Sequence, residues 1–132
     1  MYRWIEHTSE LELHVEADTD RAVLEDATRA LRELLRGDRD SDGELVERQV
    51  TVDADDRAQL LAAWLDELVF LAETQAVVPE RVEFDSLDER GLRARVTGRR
   101  GDPPHLVKAV TYHRLRFERS GDGWEATVVL DV

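Results

Sequence analysis

From residue 81 to residue 132 the chain breaks into four extended segments with short turns between them, and this pattern narrows its fold more than any other. Segments 81–87, 92–100, 106–119 and 124–132 are separated by Asp88-Glu89-Arg90-Gly91, by a loop through Pro103-Pro104, and by Gly121-Asp122-Gly123. Strands joined so tightly pair antiparallel. Upstream, Leu11, Leu13, Val15 and Ala17 alternate with Glu12, His14 and Glu16, the period of two of a strand with one buried face. Asp18-Thr19-Asp20 offers helix caps, and Ala22, Ala27, Ala30, Leu31, Leu34 and Leu35 recur at helical spacing up to Gly37, which predicts a helix over 20–36. A polar turn at Asp38-Arg39-Asp40-Ser41-Asp42-Gly43 leads to a second strand, where Val46, Arg48, Val50 and Val52 alternate with Leu45, Glu47, Gln49 and Thr51. Asp53, Asp55 and Asp56 can cap a second helix over 56–76, whose apolar face is broad (Leu60, Leu61, Trp64, Leu65, Leu68, Val69, Leu71), and Pro79 closes that stretch. Strand, helix, strand, helix and four strands predict an α+β fold: two helices packed on one face of a mainly antiparallel or mixed sheet, in one domain over residues 1–132.

Charge excludes a class of ligand. The chain carries 18 Lys+Arg against 30 Asp+Glu, a formal net charge of −12, so it would repel a phosphate backbone and is expected to make no direct contact with nucleic acid. Lys108 is the sole lysine among 17 arginines. Cysteine is absent, which removes disulfides and thiolate metal sites. Met1-Tyr2-Arg3-Trp4-Ile5-Glu6 lacks the pattern of a signal peptide, and no apolar run approaches the roughly 18 residues of a membrane span. A soluble, cytoplasmic protein with no membrane partner is expected.

The usual enzyme signatures are missing: no phosphate-cradling glycine loop, no GxSxG, no HExxH and no CxxC. Of the four histidines, His7, His14, His105 and His113, His7 stands in the densest polar cluster, Glu6-His7-Thr8-Ser9-Glu10. A histidine in a strand-rich domain usually serves as a hydrogen-bonding partner. Asp131 follows the apolar run Thr127-Val128-Val129-Leu130. A penultimate charge is commonly frayed, but with no polar tail after Val132 the end is expected to be tied down. A fixed Asp131 beside a terminal carboxylate would then suit a hard, oxygen-seeking cation. In Lys108-Ala109-Val110-Thr111-Tyr112-His113, strand alternation places Lys108 and Tyr112 on one face and His113 on the other; alternatively, Tyr112 packs across strands and Lys108 pairs with one of the many carboxylates.

These residues carry a resemblance. Glu6-His7-Thr8-Ser9-Glu10 resembles the archease signature Asp-His-Thr-Ala-Asp, and Trp64-Leu65-Asp66-Glu67-Leu68 resembles that family's Trp-Leu-x-Glu-Leu stretch. Lys108 to His113, Gly123-Trp124 and Val128-Val129-Leu130-Asp131-Val132 are similar to the archease C-terminal third almost residue for residue. The resemblance implies a non-enzymatic accessory protein that activates an RtcB-type RNA ligase in tRNA splicing and RNA repair, by promoting its guanylylation and multiple turnover. It also implies a divalent cation, usually described as calcium, with ligands falling on Glu10, Asp131 and Val132, and an activating lysine falling on Lys108; His7, Tyr112 and His113 are candidate supporting residues. The chain departs from the signature with Glu in place of Asp at Glu6 and Glu10, and with Glu12 where a small residue is common. The longer Glu10 side chain places its oxygen differently relative to Asp131.

Two other readings fit the residues. An acidic surface suits a general chaperone or protein-binding module, and His7 and His113 with nearby carboxylates suit a small metal-dependent hydrolase, provided that they lie close to Asp131.

Overall fold

The computed structural model describes residues 1–37, 42–104 and 107–132. The predicted turn residues 38–41, together with His105 and the first residue of the predicted strand 106–119, lie outside the described residues. In chain order the elements are β1 (Tyr2–His7), β2 (Glu10–Ala17), α1 (Asp20–Arg36), β3 (Leu45–Asp53), α2 (Arg57–Thr74), β4 (Val77–Leu87), β5 (Gly91–Arg100), β6 (Ala109–Ser120) and β7 (Gly123–Asp131).

The α+β class stands, and every strand pair is antiparallel. The seven strands divide between two hydrogen-bonded sheets, ordered β1-β2-β7-β6 and β3-β5-β4. Both helices touch strands of both sheets, so the helix pair joins the two sheets instead of covering one. The expected antiparallel run from residue 81 onward is broken, because β5 and β6 lie in different sheets and do not pair. Residues 2–7, to which the sequence pattern assigned no element, form the edge strand β1; Tyr2 and Trp4 face the core and their alternation is too short to stand out. Pro79 does not close a helical stretch but lies inside β4, which starts at Val77. β4 is an edge strand with a register shift between Pro79 and Arg81, where a missing N–H costs no ladder bond.

Helix α1 starts where the Thr19 hydroxyl accepts the N–H of Ala22 at 3.0 Å and stops at Gly37, whose φ of 60° suits a residue without a Cβ. Its buried face is Val23, Leu24, Ala27, Thr28, Ala30, Leu31 and Leu35, a stripe at helical spacing. In α2 the Asp56 carboxylate caps Gln59 N–H at 2.9 Å, and nine residues from Leu60 to Ala72 are buried, because neighbours lie on most of its circumference. Trp64 is fully buried at 0% exposure. Its indole N–H donates to the Thr28 hydroxyl at 2.8 Å, that hydroxyl donates to the Leu24 carbonyl at 2.6 Å, and its ring meets Phe84 of β4 edge-on at 5.4 Å. One side chain thus links α2, α1 and the three-stranded sheet. Thr28→Val would leave the buried indole N–H without an acceptor and is expected to lower the unfolding free energy by about 1–3 kcal/mol; urea denaturation followed by tryptophan fluorescence measures this, and an unchanged midpoint would contradict the role assigned to the bond.

Candidate functional site

The inner face of the four-stranded sheet, carrying Leu13, Val15, Ala126, Val128 and Leu130, packs into the core. The period of two therefore sends Glu10, Glu12 and His14 of β2 and Thr127, Val129 and Asp131 of β7 to the outer face. Strand register arranges that face in rows. His7, Glu10, Asp131 and Ala109 form one row across the four strands, and Ile5, Glu12, Val129 and Thr111 form the next. The sheet thus brings His7 and Glu10, neighbours across the β1–β2 turn, into one line with Asp131 from the far end of the chain.

At the centre lies Glu12, which at 9% exposure is the one buried charged side chain among the described residues. A buried carboxylate needs partners, and it has them. The His14 Nε2–H donates to Glu12 Oε2 at 2.5 Å, the Arg114 Nε–H donates to Oε1 at 2.8 Å, and His7 Nε2 stands 3.8 Å from Oε1. Behind His14, its Nδ1 faces the Thr127 hydroxyl at 3.3 Å. Arg114 also donates from Nη2 to Glu10 Oε2 at 3.1 Å and from Nη1 to His113 Nε2 at 3.0 Å. The hydrogen bond from His14, first of all, holds the Glu12 carboxyl below the ordinary glutamate range; burial pushes the other way, and Arg114 adds to the lowering.

Arg114 reaches these carboxylates from an irregularity in β6. Between Thr111 and Arg116 the register shifts: five residue steps on β6 face only two on β7, from Val129 to Thr127. This bulge corrects the simple alternation expected for residues 108–113. Val110 turns inward against the core, whereas Tyr112 is 65% exposed and shares no packed strand face with Lys108. To reach β2 from β6 the Arg114 side chain must cross β7, and Val129, the register partner of Glu12, is fully buried there. Sequence reasoning assigned Arg114 no role, because only the bulge turns it toward partners about 100 residues away in the chain.

Lys108 lies just before β6. Its backbone N–H donates to the Asp131 carbonyl at 2.8 Å, and the preceding residue, buried Val107, donates its N–H to the Glu73 carboxylate at 3.1 Å. The backbone is held on both sides while the side chain is exposed. Lys108 makes no ion pair among the described residues, so the expected pairing with an abundant carboxylate is not formed.

The residues implied to hold a cation are neighbours. Glu10 faces Asp131 in register, and the Val132 N–H donates to the Ser9 carbonyl at 3.1 Å; Glu10 and Val132 also border a cleft of about 250 Å³ that His7 and Val107 help to line. Oxygen donors are the right type for a hard cation. The arrangement, however, already engages Glu10 with a guanidinium, and no group of three or more His, Cys, Asp or Glu side chains that could hold a metal gathers among the described residues. As arranged, these residues do not form a cation cage. The hydrolase reading lacks its ligand group for the same reason: His7 shares the Asp131 row, but His113 turns to Arg114.

The depressed pKa of Glu12 fixes the sign of a pH dependence. Its contribution to stability is present above the ordinary glutamate range and is lost as pH falls through the lowered folded-state pKa. Glu12→Gln is expected to destabilise the protein by about 1–3 kcal/mol at neutral pH, with the gap to the unmodified chain closing as pH is lowered below ~4. Urea titrations across this range test it; a gap that stays constant would show that the carboxylate's charge is not the source.

Comparison with known proteins follows the same lines. The model of the Archease protein family matches residues 2–132. Protein archease of Methanosarcina mazei is 30% identical over 140 residues, covering 99% of this chain and 95% of that protein; its counterpart in Methanopyrus kandleri is 34% identical over 139 residues, covering 97% and 96%. Among solved structures, the solution structure of a Methanobacterium thermoautotrophicum protein superimposes with a TM-score of 0.74 at 27% identity, covering 99% of this chain and 98% of that one. The crystal structure of a Thermotoga maritima archease, described as a possible chaperone, gives 0.70 at 23% identity, covering 97% and 94%, and supports the fold alone. No described helix is long and apolar enough to cross a membrane. With the family model spanning nearly every residue and relatives of this similarity along the whole length, the chain belongs to the archease family.

Proposed function

We propose that this archease is a non-enzymatic accessory protein that activates an RtcB-type RNA ligase by promoting its guanylylation and multiple turnover, as in tRNA splicing and RNA repair. The observation that carries this reading is Lys108: the sole lysine of a chain with 30 carboxylates, anchored through its backbone to Asp131 and exposed without an ion pair among the described residues. An ammonium group held this way is available to a partner. Guanylylation is phosphoryl-group chemistry, in which correctly placed positive charge stabilises the charge that develops on the transferred group. Lys108 would supply such a charge from outside the ligase, and the nucleotide, the reacting histidine and the metal ions of the reaction would belong to the ligase.

The negative body of the chain supports the same partner. A net charge of −12 would be drawn to the basic RNA-binding face of a ligase and would speed encounter more than it tightens the complex. In this reading the chain contacts the ligase and not the RNA, and works in the cytoplasm. A divalent cation, calcium by the family resemblance, would be held by the carboxylates of Glu10 and Asp131 and by main-chain or terminal oxygen of Val132, and would stiffen the junction of β2 and β7 beside Lys108. There the ion would compete with Arg114 for Glu10.

A second reading, a general chaperone, draws on the acidic surface and on the words used for the Thermotoga maritima relative. The two readings separate on Lys108. Mixed with its cognate ligase, GTP and Mn²⁺, the chain is expected to raise ligase guanylylation and the number of turnovers. Lys108→Ala and Asp131→Ala are expected to cut that stimulation by about tenfold or more, equivalent to about 1.4 kcal/mol in barrier, with unchanged circular dichroism. No stimulation by the unmodified chain would exclude the ligase reading, and full stimulation by both variants would remove the site assignment. Suppression of aggregation of unrelated proteins without any effect on the ligase would favour the chaperone.

A further inference from the structure

We propose that Arg114 is the resident counter-cation of the Glu10–Glu12 carboxylate pair, so that a divalent cation reaching Glu10 must compete with a guanidinium supplied by the chain itself. The inference rests on the reading above in which Glu10 takes part in holding a cation.

Three observations carry it. Every nitrogen of the Arg114 guanidinium has its own acceptor: Nε bonds Glu12 at 2.8 Å, Nη2 bonds Glu10 at 3.1 Å, and Nη1 bonds His113 Nε2 at 3.0 Å. Planar, multiply bonded guanidinium–carboxylate contacts of this kind are specific in geometry as well as in charge. Second, the backbone is bent to deliver the side chain. Arg114 has φ of 55°, a left-handed conformation that is costly for a residue with a Cβ and persists where surrounding contacts over-determine it. Third, the side chain bridges strands that do not pair: β6 and β2 are separated by β7, and fully buried Val129 lies under the crossing. The Glu12 limb ends on a nearly buried carboxylate and is a built contact, whereas the Glu10 limb, with side chains 44% and 35% exposed, is the looser one that an ion could contest.

The consequence is competition. Glu10 Oε2 already accepts a hydrogen bond from a positive group, and a divalent ion on the same carboxylate would be repelled by that group. Binding of the ion therefore weakens the Arg114 contact with Glu10, which loosens the bulge carrying Tyr112, His113 and Leu115. That bulge continues directly from the segment beginning at Lys108, so loss of the guanidinium contact would be felt where the lysine is presented.

Calorimetric titration of the intact chain with CaCl₂ alone tests this. Arg114→Ala and Arg114→Gln are expected to bind calcium about tenfold or more tightly than the unmodified chain, and Glu10→Gln added to Arg114→Gln is expected to abolish the gain. Thermal denaturation without calcium verifies that each variant is folded. In the unmodified chain, saturating calcium should also shift the nuclear magnetic resonance signals of the Arg114 Nη–H protons, which needs no variant to fold. Equal affinity with and without Arg114 would overturn the competition while leaving the cation reading intact. Retention of the gain without Glu10 would overturn it as well. Absence of calcium binding in every form would reject the cation reading itself, and the competition with it.

Discussion

The hydrogen bond from the indole of Trp64 to the hydroxyl of Thr28 sits where the two helices and the three-stranded sheet meet, and the rest of the architecture is arranged around it. A buried indole carries one donor that must find an acceptor. Thr28 supplies that acceptor and passes its own proton to the Leu24 carbonyl, so no polar atom of this group is left unsatisfied inside the core. The bond fixes how far α1 and α2 can slide along each other. With the helices placed, the apolar faces of both sheets have a surface to cover, and Leu13, Val15, Val128 and Leu130 are committed to the inner side of the four-stranded sheet.

That commitment determines the chemistry of the opposite side. Because side chains alternate strictly along a strand, turning Leu11, Leu13 and Val15 toward the core forces Glu10, Glu12 and His14 outward. Antiparallel pairing with β7 then sets Glu10 against Asp131. The outer face becomes a place where two carboxylates of β2, one of β7 and several histidines converge. It is not simply solvent-facing, because the β6 bulge carries Arg114 across β7 and encloses Glu12 beneath it. A buried carboxylate with histidine and arginine partners is a satisfied network, and such a network resists rearrangement in proportion to how fully it is paired.

Much of this was legible in the chain. The α1 span, the capping of both helices, the β4–β5 and β6–β7 pairs and the outward phase of Glu12, His14 and Glu16 follow from short-range periodicity and turn chemistry, whereas the expected antiparallel run breaks between β5 and β6, which lie in different sheets. The motifs around Glu6–Glu10, Trp64–Leu68 and Lys108–Val132 point to the archease family, and the family model confirms membership. Less legible were the elements whose conformation is decided by contacts distant in sequence. β1 is short and mixed in polarity, and it is a strand only because β2 offers an edge. Pro79 is tolerated in β4 only because β4 lies at the rim of its sheet. The bulge of β6 does leave a local signature, which simple alternation over 108–113 passes over: the inward apolar phase slips from Val110 to Leu115 and Phe117, with His113 and Arg114 consecutive between them.

The sequence alone determined the main periods: the two helices, the extended segments after them, the apolar face of β2, and that a single lysine stands in an acidic chain. Those properties depend on neighbours within a turn or a pleat, and they survive in any arrangement of the elements. Tertiary structure alone decided the division into two sheets, the row that brings His7, Glu10 and Asp131 together, and the placement of Arg114 on carboxylates that precede it by about 100 residues. The reason is physical. A register between distant strands and the reach of a side chain across a third strand depend on closing long loops, and no local preference encodes which loops close together.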